Sequence, residues 1–359
     1  MSSHQRIRVL VADDSAFMRT ALSRMIQSDP DLEVVGTARD GVEALEAVHK
    51  LRPDVLTLDI EMPRMNGLET LKRIMTECPR PVIMVSSLTQ EGVRATLDAF
   101  ELGAFDCIPK QLSYASLDIV KIRQRLVDQI KHAAARSIQF TAPLPMPLPT
   151  AAIAVASAPV VRPHSQIAAK VIAIGVSTGG PKALQQILPM LPADLPAGLV
   201  IVQHMPVGFT RPFAERLHGL SRIAVREAAE GVEVEPGLAL IAPAGIHTTV
   251  ASHGGKLKTH LSQTPADALH IPSVDVMMYS VAEVCGPRAM GVIMTGMGSD
   301  GARGMHAISD NGGFTVGQDE PTCAVYGMPR ACAEAGFLDA VVPLQRIPSE
   351  IMWASHHHR

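Results

Sequence analysis

The first third of the chain carries charged side chains where apolar runs end. Asp13 and Asp14 follow IRVLVA, Asp59 ends VLTLD, Ser86 ends PVIMVS, and Lys110 ends AFDCIPK. If these runs form one parallel sheet, their carboxyl ends share an edge, and the five side chains converge there. Three carboxylates at one point need a cation, and Mg²⁺ suits them because it prefers oxygen ligands. We therefore expect a Mg²⁺ site in which one carboxylate accepts a phosphoryl group and the lysine balances its charge.

A second stretch with possible chemistry is VIAIGVSTGGP, residues 171–181. It lacks both the G-x-G-x-x-G pattern of dinucleotide sites and the G-K-[ST] of phosphate loops, so neither interpretation is favoured. Small residues around Ser177 permit a sharp turn from strand to helix, which would expose the hydroxyl as a nucleophile. The alternative is that this Ser-Thr pair only caps the following helix.

A serine nucleophile needs a base and an orienting acid. His204 ends the run LVIVQH, and His247 follows the run LALIAP, so both histidines are candidates for the base. Asp300 lies in the glycine-rich segment TGMGSDG directly after the run GVIMT, whereas Asp275 and Asp319 are weaker candidates for the acid. The positions of these residues alone do not choose between the two histidines.

The elements that must position these residues form two similar series. Up to about residue 130, five apolar runs alternate with amphipathic helical segments, which predicts a parallel sheet with helices on both faces. A Pro- and Ala-rich segment without periodicity follows, and a second alternating series begins at Lys170. We therefore predict two doubly wound parallel-sheet α/β domains, at residues 1–134 and 168–350, joined by a linker at residues 135–167.

Composition narrows the function classes. A net charge of −3 and 3% aromatic residues argue against a nucleic-acid partner. The five cysteines form no C-x-x-C pair, and the N-terminal residues lack a long apolar h-region, so no signal peptide is expected. No apolar run is long enough to span a bilayer. A cytoplasmic protein without membrane insertion is expected.

Residues 5–125 resemble the receiver domain of two-component response regulators, which has a flavodoxin-like fold. The resemblance implies phosphorylation by a histidine kinase. It also implies these roles: Asp59 as phosphoacceptor, Asp13 and Asp14 as the acidic metal pair, the backbone carbonyl of Glu61 as a further metal ligand, and Ser86 and Lys110 as phosphoryl contacts. Two positions depart from the receiver pattern. Proline usually follows the lysine but here precedes it as Pro109, and Cys107 occupies the usual aromatic switch position.

Residues 170–350 resemble the catalytic domain of the chemotaxis protein-glutamate methylesterases. The matching stretches are GVSTGGP, QHMPVGFTRPFAERL, PSVDVMMYSVA, VIMTGMGSDGARGM and DEPTCAVYGMP. The resemblance implies Ser177 as nucleophile, His204 as base, Asp300 as orienting acid, and the backbone N–H groups of Thr178 and Met297 as the oxyanion hole. A departure lies beside His270, where the family often has Asn and Arg and this chain has Ala268, Leu269 and Ile271.

The two resemblances imply a function. The expected activity is phosphorylation-regulated hydrolysis of glutamate methyl esters on the cytoplasmic helices of chemoreceptors, which releases methanol, with deamidation of receptor glutamines as a second activity. Mg²⁺ is expected at the receiver site, and no cofactor is expected for the esterase. Two rivals are a non-enzymatic response regulator and a nucleotide-binding enzyme. The absence of a basic recognition helix and of a phosphate-loop lysine counts against them.

Overall fold

The computed structural model describes residues 6–87, 89–110, 118–140 and 168–356. The described residues divide into two compact units, an N-terminal unit and a C-terminal unit. Both are built on a parallel sheet, so the predicted fold class is confirmed. Each unit is considered by itself below.

Among its described residues, the N-terminal unit contains five strands and five helices that alternate along the chain. They are β1 (Ile7–Ala12), α1 (Ala16–Gln27), β2 (Leu32–Ala38), α2 (Gly41–Leu51), β3 (Val55–Asp59), α3 (Gly67–Glu77), β4 (Val82–Ser86), α4 (Gln90–Leu102), β5 (Asp106–Pro109) and α5 (Asp118–Phe140). The sheet has the order β2-β1-β3-β4-β5, and all its pairs are parallel. Helices α1 and α5 contact each other, as do α2, α3 and α4 in sequence.

Local sequence explains why these helices begin where they do. Asp40 caps α2 by accepting the N–H groups of Val42 and Glu43, and Asn66 caps α3 by accepting the N–H of Glu69. The central strand β3 is buried along its whole length, as expected for a parallel strand covered on both faces. The sheet therefore presents the carboxyl ends of β1, β3, β4 and β5 at one edge.

Helix α5 continues to Phe140, six residues beyond the predicted end of the first domain at residue 134. The remainder of the predicted linker, residues 141–167, lies outside the described residues. The two domain boundaries given by composition therefore stay predictions.

The C-terminal unit contains nine strands and six α-helices among its described residues. They are β6 (Val171–Val176), α6 (Gly180–Ile187), β7 (Gly198–Gln203), α7 (Thr210–Leu220), β8 (Ala224–Glu227), β9 (Leu238–Ile241), β10 (His247–His253), β11 (Lys256–Ser262), α8 (Val274–Cys285), β12 (Ala289–Ile293), α9 (Ala302–Asp310), β13 (Phe314–Gln318), α10 (Met328–Glu334), β14 (Ala340–Val342) and α11 (Ile347–His356). Seven strands form a parallel sheet of order β14-β13-β12-β6-β7-β9-β8, and β10 pairs with β11 as an antiparallel hairpin.

The strand order locates a topological switch beside β6. From β6 the chain moves to β7 on one side and later returns to β12 on the other side. Ligands of open α/β sheets bind at such a switch, outside the carboxyl ends of the strands. The three segments that contain the candidate serine, histidine and aspartate follow β6, β7 and β12, so they meet at this point.

Several elements were missing from the sequence analysis. These are the strands β8, β10, β11 and β14 and the helices α10 and α11. The hairpin of β10 and β11 is half exposed, so its strands have no continuous apolar run. Strand β14 has only three residues and lies at the edge of the sheet.

Within the part of the chain that the structure describes, no helix is long and apolar enough to cross a membrane.

Candidate active site and acidic site

The N-terminal unit gathers its predicted acidic residues at the carboxyl edge of the sheet. Carboxylate oxygens of Asp13, Asp14 and Asp59 all lie within 4.8 Å of one another. The Nζ atom of Lys110 lies 2.7 Å from Oδ2 of Asp59 and 3.1 Å from Oδ2 of Asp13. Oxygen donors at this spacing suit Mg²⁺, which binds through one or two carboxylates and keeps waters. The residues present therefore fit the expected ion.

The electrostatics of this cluster also favour a cation. Burial raises the pKa of Asp59 to about 6, and the charge of Asp13 acts in the same direction, although Lys110 opposes both. The raised pKa shows that burial, together with the charge of Asp13, disfavours the ionised carboxylate. A divalent ion beside Asp59 would favour the ionised form.

Two further predicted residues lie beside the cluster in different ways. The backbone N–H of Glu61 donates to Oδ1 of Asp59 at 3.3 Å, so this segment passes directly by the carboxylate. The hydroxyl of Ser86 is fully buried and donates to the carbonyl of Gly92 in α4 at 3.1 Å. It also accepts a hydrogen bond from Thr96 at 2.8 Å. Ser86 is therefore bonded to α4 here, and its role as a phosphoryl contact stays a prediction.

In the C-terminal unit, Ser177 follows β6 immediately. Its backbone N–H donates to the carbonyl of Thr295 at 3.0 Å, and its own carbonyl accepts the N–H of Gly180 at 2.8 Å. Helix α6 is capped by Gly179, which has a φ of 77° and makes no side-chain capping bond. The helix-cap interpretation of Ser177 is therefore wrong, and its hydroxyl is not used to begin α6. A side chain at Gly179 would collide with Cβ of Ala324 at 2.3 Å.

His204 and Asp300 form a nearly buried pair. Nε2 of His204 lies 2.9 Å from Oδ2 of Asp300, and the two side chains are 9% and 10% exposed. The carboxylate also accepts the N–H groups of Val274 and Asp275 at 2.8 and 3.0 Å and the hydroxyl of Ser273 at 2.8 Å. These donors form the first turn of α8, where a negative charge is favoured.

This environment fixes the charge of the acid. Burial by itself would raise the pKa of Asp300, but the hydrogen bond and charge of His204 and the N–H groups at the start of α8 outweigh it. The pKa of Asp300 is held well below its usual range. The aspartate is therefore ionised at neutral pH and can orient the imidazole and stabilise its protonated form.

The serine and histidine are linked through Gln203. The side-chain amide of Gln203 donates to the carbonyl of Ser177 at 3.1 Å and to that of His204 at 3.0 Å. Because Nε2 of His204 is hydrogen-bonded to Asp300, Nδ1 is the remaining ring nitrogen. This atom is buried and has no hydrogen-bond partner among the residues that the structure describes. A proton acceptor is thus free in the segment that is tied to the serine.

The segment after β12 lies against the serine. A Cβ placed on Gly296 would come within 2.9 Å of Cβ of Ser177. Met297 is the next residue in the chain after this close approach. The hydroxyl of Thr295 donates to the carbonyl of Thr178 at 2.9 Å, which ties the two segments together. Thr178 and Met297 are therefore neighbours of Ser177, as an oxyanion hole requires, and their role stays a prediction.

The alternative base and acids occupy other positions. His247 is fully buried, and both its ring nitrogens are within hydrogen-bond distance of backbone atoms. Asp275 accepts the N–H groups of Gly301 and Gly304 and so caps α9. Asp319 accepts the N–H of Thr322 in a short 3-10 turn. None of these three side chains has a described contact with Ser177.

Sequence reasoning missed three residues of this site. Ser273 binds the acid, Gln203 links the serine to the histidine, and the ring of His270 stacks on His204 with centroids 4.2 Å apart. The only sequence signal for Ser273 was a serine directly before the apolar run of α8, which is typical of a helix N-cap. Polar residues that act through the backbone leave no pattern in a single sequence.

The fold and the two sites define a class of protein. An acidic cluster with a lysine lies at the edge of a five-stranded α/β unit, and a serine, histidine and aspartate lie at the switch point of a second one. A family model described as response regulator receiver domain matches residues 9–120, and one described as CheB methylesterase matches residues 172–351. The chain belongs to the CheB methylesterase family.

Similar proteins extend over nearly the whole chain. A protein-glutamate methylesterase/protein-glutamine glutaminase 1 of Oleidesulfovibrio alaskensis is 50% identical over an alignment 365 residues long. The alignment covers 96% of this chain and 98% of the relative. A protein-glutamate methylesterase/protein-glutamine glutaminase of Pyrococcus abyssi is 49% identical over 98% of this chain and 94% of the relative. The crystal structure of the Thermotoga maritima CheB methylesterase catalytic domain matches with a TM-score of 0.51 and 39% identity, over 52% of this chain and 99% of that chain.

Proposed function

We propose that the chain hydrolyses γ-glutamyl methyl esters on the cytoplasmic helices of chemoreceptors and releases methanol. The observation that carries this proposal is the pair of His204 and Asp300, which leaves Nδ1 of the histidine free beside the segment of Ser177. The names and the near full-length similarity of the relatives support the substrate class. Together they favour an esterase over a binding module.

The reaction follows from the positions of these groups. Oγ of Ser177 attacks the ester carbonyl carbon while Nδ1 of His204 takes the hydroxyl proton. The N–H groups of Thr178 and Met297 stabilise the oxyanion, which is usually a large contribution to the rate. Methanol leaves with the proton from His204, and an acyl-enzyme remains. A water molecule then attacks the acyl-enzyme, the histidine takes its proton, and the glutamate carboxylate is released with regeneration of Ser177.

The same site supports deamidation of receptor glutamines. The carboxamide of glutamine has the shape of the methyl ester, and the leaving group changes from methanol to ammonia. His204 would give its proton to the amide nitrogen, as it gives it to the methoxy oxygen. The second half of the relatives' names, protein-glutamine glutaminase, supports this as a further activity of the same three residues.

The N-terminal unit regulates the esterase. Asp59 accepts a phosphoryl group from a chemotaxis histidine kinase. Asp13, Asp14, Asp59 and the carbonyl of Glu61 would hold Mg²⁺ at this site, where the ion would supply positive charge to balance the carboxylates and the phosphoryl group. Lys110 contacts the phosphoryl group from its present place beside Asp59, where it already pairs with the carboxylate. Phosphorylation raises the esterase rate.

We place the chain in the cytoplasm on the basis of its cysteines and its proposed substrate. None of the five cysteines forms a disulfide bond, which suits a reducing compartment. The chain acts there on the receptor helices, without nucleic acid and without inserting into the membrane.

The deciding experiment is methanol release from membranes that contain methylated receptors, with the full chain, with and without a small-molecule phosphodonor and Mg²⁺. The expected result is release that depends on Ser177 and increases with the phosphodonor. Absence of methanol under both conditions, from a folded protein that a serine-directed phosphonate labels at Ser177, would show that the substrate class is wrong although the nucleophile is right.

A further inference from the structure

His247, which the sequence left open as a base, lies near the acid without touching it. Its side chain is fully buried at the start of β10. Nδ1 accepts the backbone N–H of Ser273 at 3.1 Å, and Nε2 lies 3.0 Å from the carbonyl oxygen of Pro265. Because an amide N–H only donates and a carbonyl only accepts, both contacts require the tautomer protonated on Nε2. Both ring nitrogens are therefore engaged, and neither is available to a substrate.

Through Nδ1, the ring of His247 is linked to the acid by way of Ser273. Ser273 is the N-cap of α8, and its hydroxyl donates to Oδ1 of Asp300 at 2.8 Å. The backbone N–H groups of the next two residues donate to the same carboxylate at 2.8 and 3.0 Å. Since the three donors come from consecutive residues, a bond that fixes the backbone of Ser273 fixes all of them. The place of Asp300 in turn sets the place of Nε2 of His204.

Through Nε2, the same ring anchors the segment that packs on the base. The carbonyl of Pro265 is bound by His247, and the carbonyl of Ile271 accepts the backbone N–H of the residue two before His247 at 3.1 Å. Between these two anchors lies His270, whose ring stacks on that of His204 at 4.2 Å with an interplanar angle of 18°. A stacked ring limits the rotation of the imidazole about its side-chain torsions.

We propose that His247 is a positioning residue for the esterase reaction: one buried ring fixes, with its two nitrogens, both the acid that orients His204 and the ring that stacks on it. The proposal rests on the proposed function, because it assigns a role within that reaction. It makes no use of His247 as a proton acceptor from substrate.

Two substitutions test the roles of the two ring nitrogens of His247 separately. In His247→Gln, the amide Nε2 takes the place of the ring Nε2, so the donor to Pro265 is kept and the acceptor for Ser273 is lost. In His247→Asn, Oδ1 takes the place of Nδ1, so the acceptor is kept and the donor is lost. We expect His247→Gln to lower kcat by about tenfold with little change in KM, because only the acid is disturbed. We expect His247→Asn to lower kcat by about threefold and also to raise KM.

Double-mutant cycles distinguish positioning from a general loss of structure. If His247 acts on the acid, His247→Gln should cost less than about threefold in an Asp300→Asn background, since that route is already broken. Likewise, His247→Asn should cost little further in a His270→Ala background. Additive losses in both cycles, at unchanged thermal stability, would overturn the proposal.

The control is His218→Asn. His218 also accepts a backbone N–H through Nδ1, from Val225 at 3.2 Å, but it lies at the end of α7 outside the site. The variant His218→Asn should keep the kcat and KM of the natural chain. A loss equal to that of His247→Gln would show that removing any such bond has the same effect, and the proposal would fail.

Two measurements keep the test independent of the receptor substrate and of variant folding. The rate at which a serine-directed phosphonate labels Ser177 should follow the same order of variants as kcat, so a wrong substrate class would leave this readout intact. ¹⁵N spectra of the natural full chain should show His247 protonated on Nε2 and unprotonated on Nδ1. A proton on Nδ1 would overturn the proposal even if every variant failed to fold.

Discussion

Asp59 is buried and Asp300 is nearly buried, and both lie at the carboxyl edge of a parallel sheet, yet their surroundings shift their pKa values in opposite directions. Asp59 lies beside two further aspartates and one lysine, and burial raises its pKa to about 6. Asp300 accepts four hydrogen bonds, three of them from the first turn of α8, and its pKa is lowered although burial acts the other way. The same type of side chain therefore has a raised pKa in the N-terminal unit and a lowered pKa in the C-terminal unit.

The difference corresponds to what the proposed function requires of each site. The surroundings of Asp300 already compensate its charge, so in the proposed reaction the aspartate orients His204 without any added component. The surroundings of Asp59 compensate its charge less well, so in the proposed function this site gains from a cation and responds to a phosphoryl group. A constant catalytic site is preorganised, whereas a switch needs an element whose state a ligand changes.

The largest effect is expected at the nucleophile of the preorganised site. Ser177→Ala removes the attacking oxygen and leaves the acid, the base and the backbone donors in place. We expect methanol release to fall by roughly 10⁵-fold or more, as for nucleophile removal in serine hydrolases, with unchanged thermal unfolding. The measurement is initial rate on methylated receptor membranes at equal protein concentration.

Cys323→Ala is the matched control. Cys323 is buried, and its thiol donates a weak hydrogen bond to the carbonyl oxygen of Gln318 with Sγ at 4.0 Å, so we expect it to serve packing rather than chemistry. Activity should stay within about twofold of the natural chain, in line with a substitution outside the reacting groups. Normal turnover in Ser177→Ala together with loss in Cys323→Ala would move the chemistry to the thiol.

The next effect is expected at the compensated acid. Asp300→Asn keeps the shape of the side chain but removes its charge, so it should lower kcat by about 10³-fold, less than Ser177→Ala. Asp310→Asn is the control, because its carboxylate also pairs with a histidine, His306 at 3.2 Å, but on the exposed surface of α9. Equal losses in the two variants would mean that the buried donors around Asp300 contribute nothing to catalysis.

The third effect concerns the undercompensated acid. Asp59→Asn cannot accept a phosphoryl group, so it should remove the whole response to a phosphodonor, about 100-fold in rate if phosphorylation shifts the balance by a few kcal/mol. The rate without phosphodonor should be unchanged. Asp128→Asn, whose carboxylate pairs with Gln124 on α5, should keep the response. A phosphodonor response that survives in Asp59→Asn would place the acceptor elsewhere.

The sequence predicted the acidic cluster and the serine segment well because both depend on strand ends. In a parallel sheet, a side chain that follows a buried run reaches the same edge as its neighbours, so Asp13, Asp59 and Lys110 were placed by pattern alone. Sequence position alone could not show whether His204 or His247 is the candidate base, because both follow strands of the predicted sheet. The structure separates them by burial and hydrogen bonds, which depend on long-range packing.

The same reasoning explains the misses. Strand β14 is too short for a period, and the hairpin of β10 and β11 is half exposed, so neither produces an apolar run. Gln203 and Ser273 act through contacts with residues far away in the chain or with backbone groups. Such contacts depend on the packed arrangement of several elements, and residue type carries little information about them.

The smallest effect tests the contrast in stability rather than in activity. A carboxyl group with a raised pKa in the folded state contributes stability below its unfolded pKa, and this contribution is lost as pH rises through the folded pKa. With a pKa for Asp59 of about 6 in the folded state and 3.8 in the unfolded state, the stability of the metal-free N-terminal unit of Asp59→Asn relative to the natural chain should rise by about 1.5 kcal/mol as the pH increases from about 5 to about 7.5. Asp300 has the opposite sign. Its lowered pKa contributes stability above the unfolded pKa, so the deficit of Asp300→Asn should shrink as the pH falls below about pH 4.

The two units can be followed separately in the full chain. Trp353 is the only tryptophan and lies in α11, so its fluorescence in urea reports the C-terminal unit, while amide hydrogen exchange of β3 reports the N-terminal unit. Millimolar Mg²⁺ should abolish the pH-dependent gain of Asp59→Asn, because the ion favours the ionised carboxylate and lowers its pKa. The same Mg²⁺ should leave the C-terminal unit unchanged, since Asp300 is already compensated by the N–H groups of α8. A pH profile of Asp59→Asn that is flat without Mg²⁺, or one of Asp300→Asn that changes with Mg²⁺, would contradict the contrast between the two aspartates.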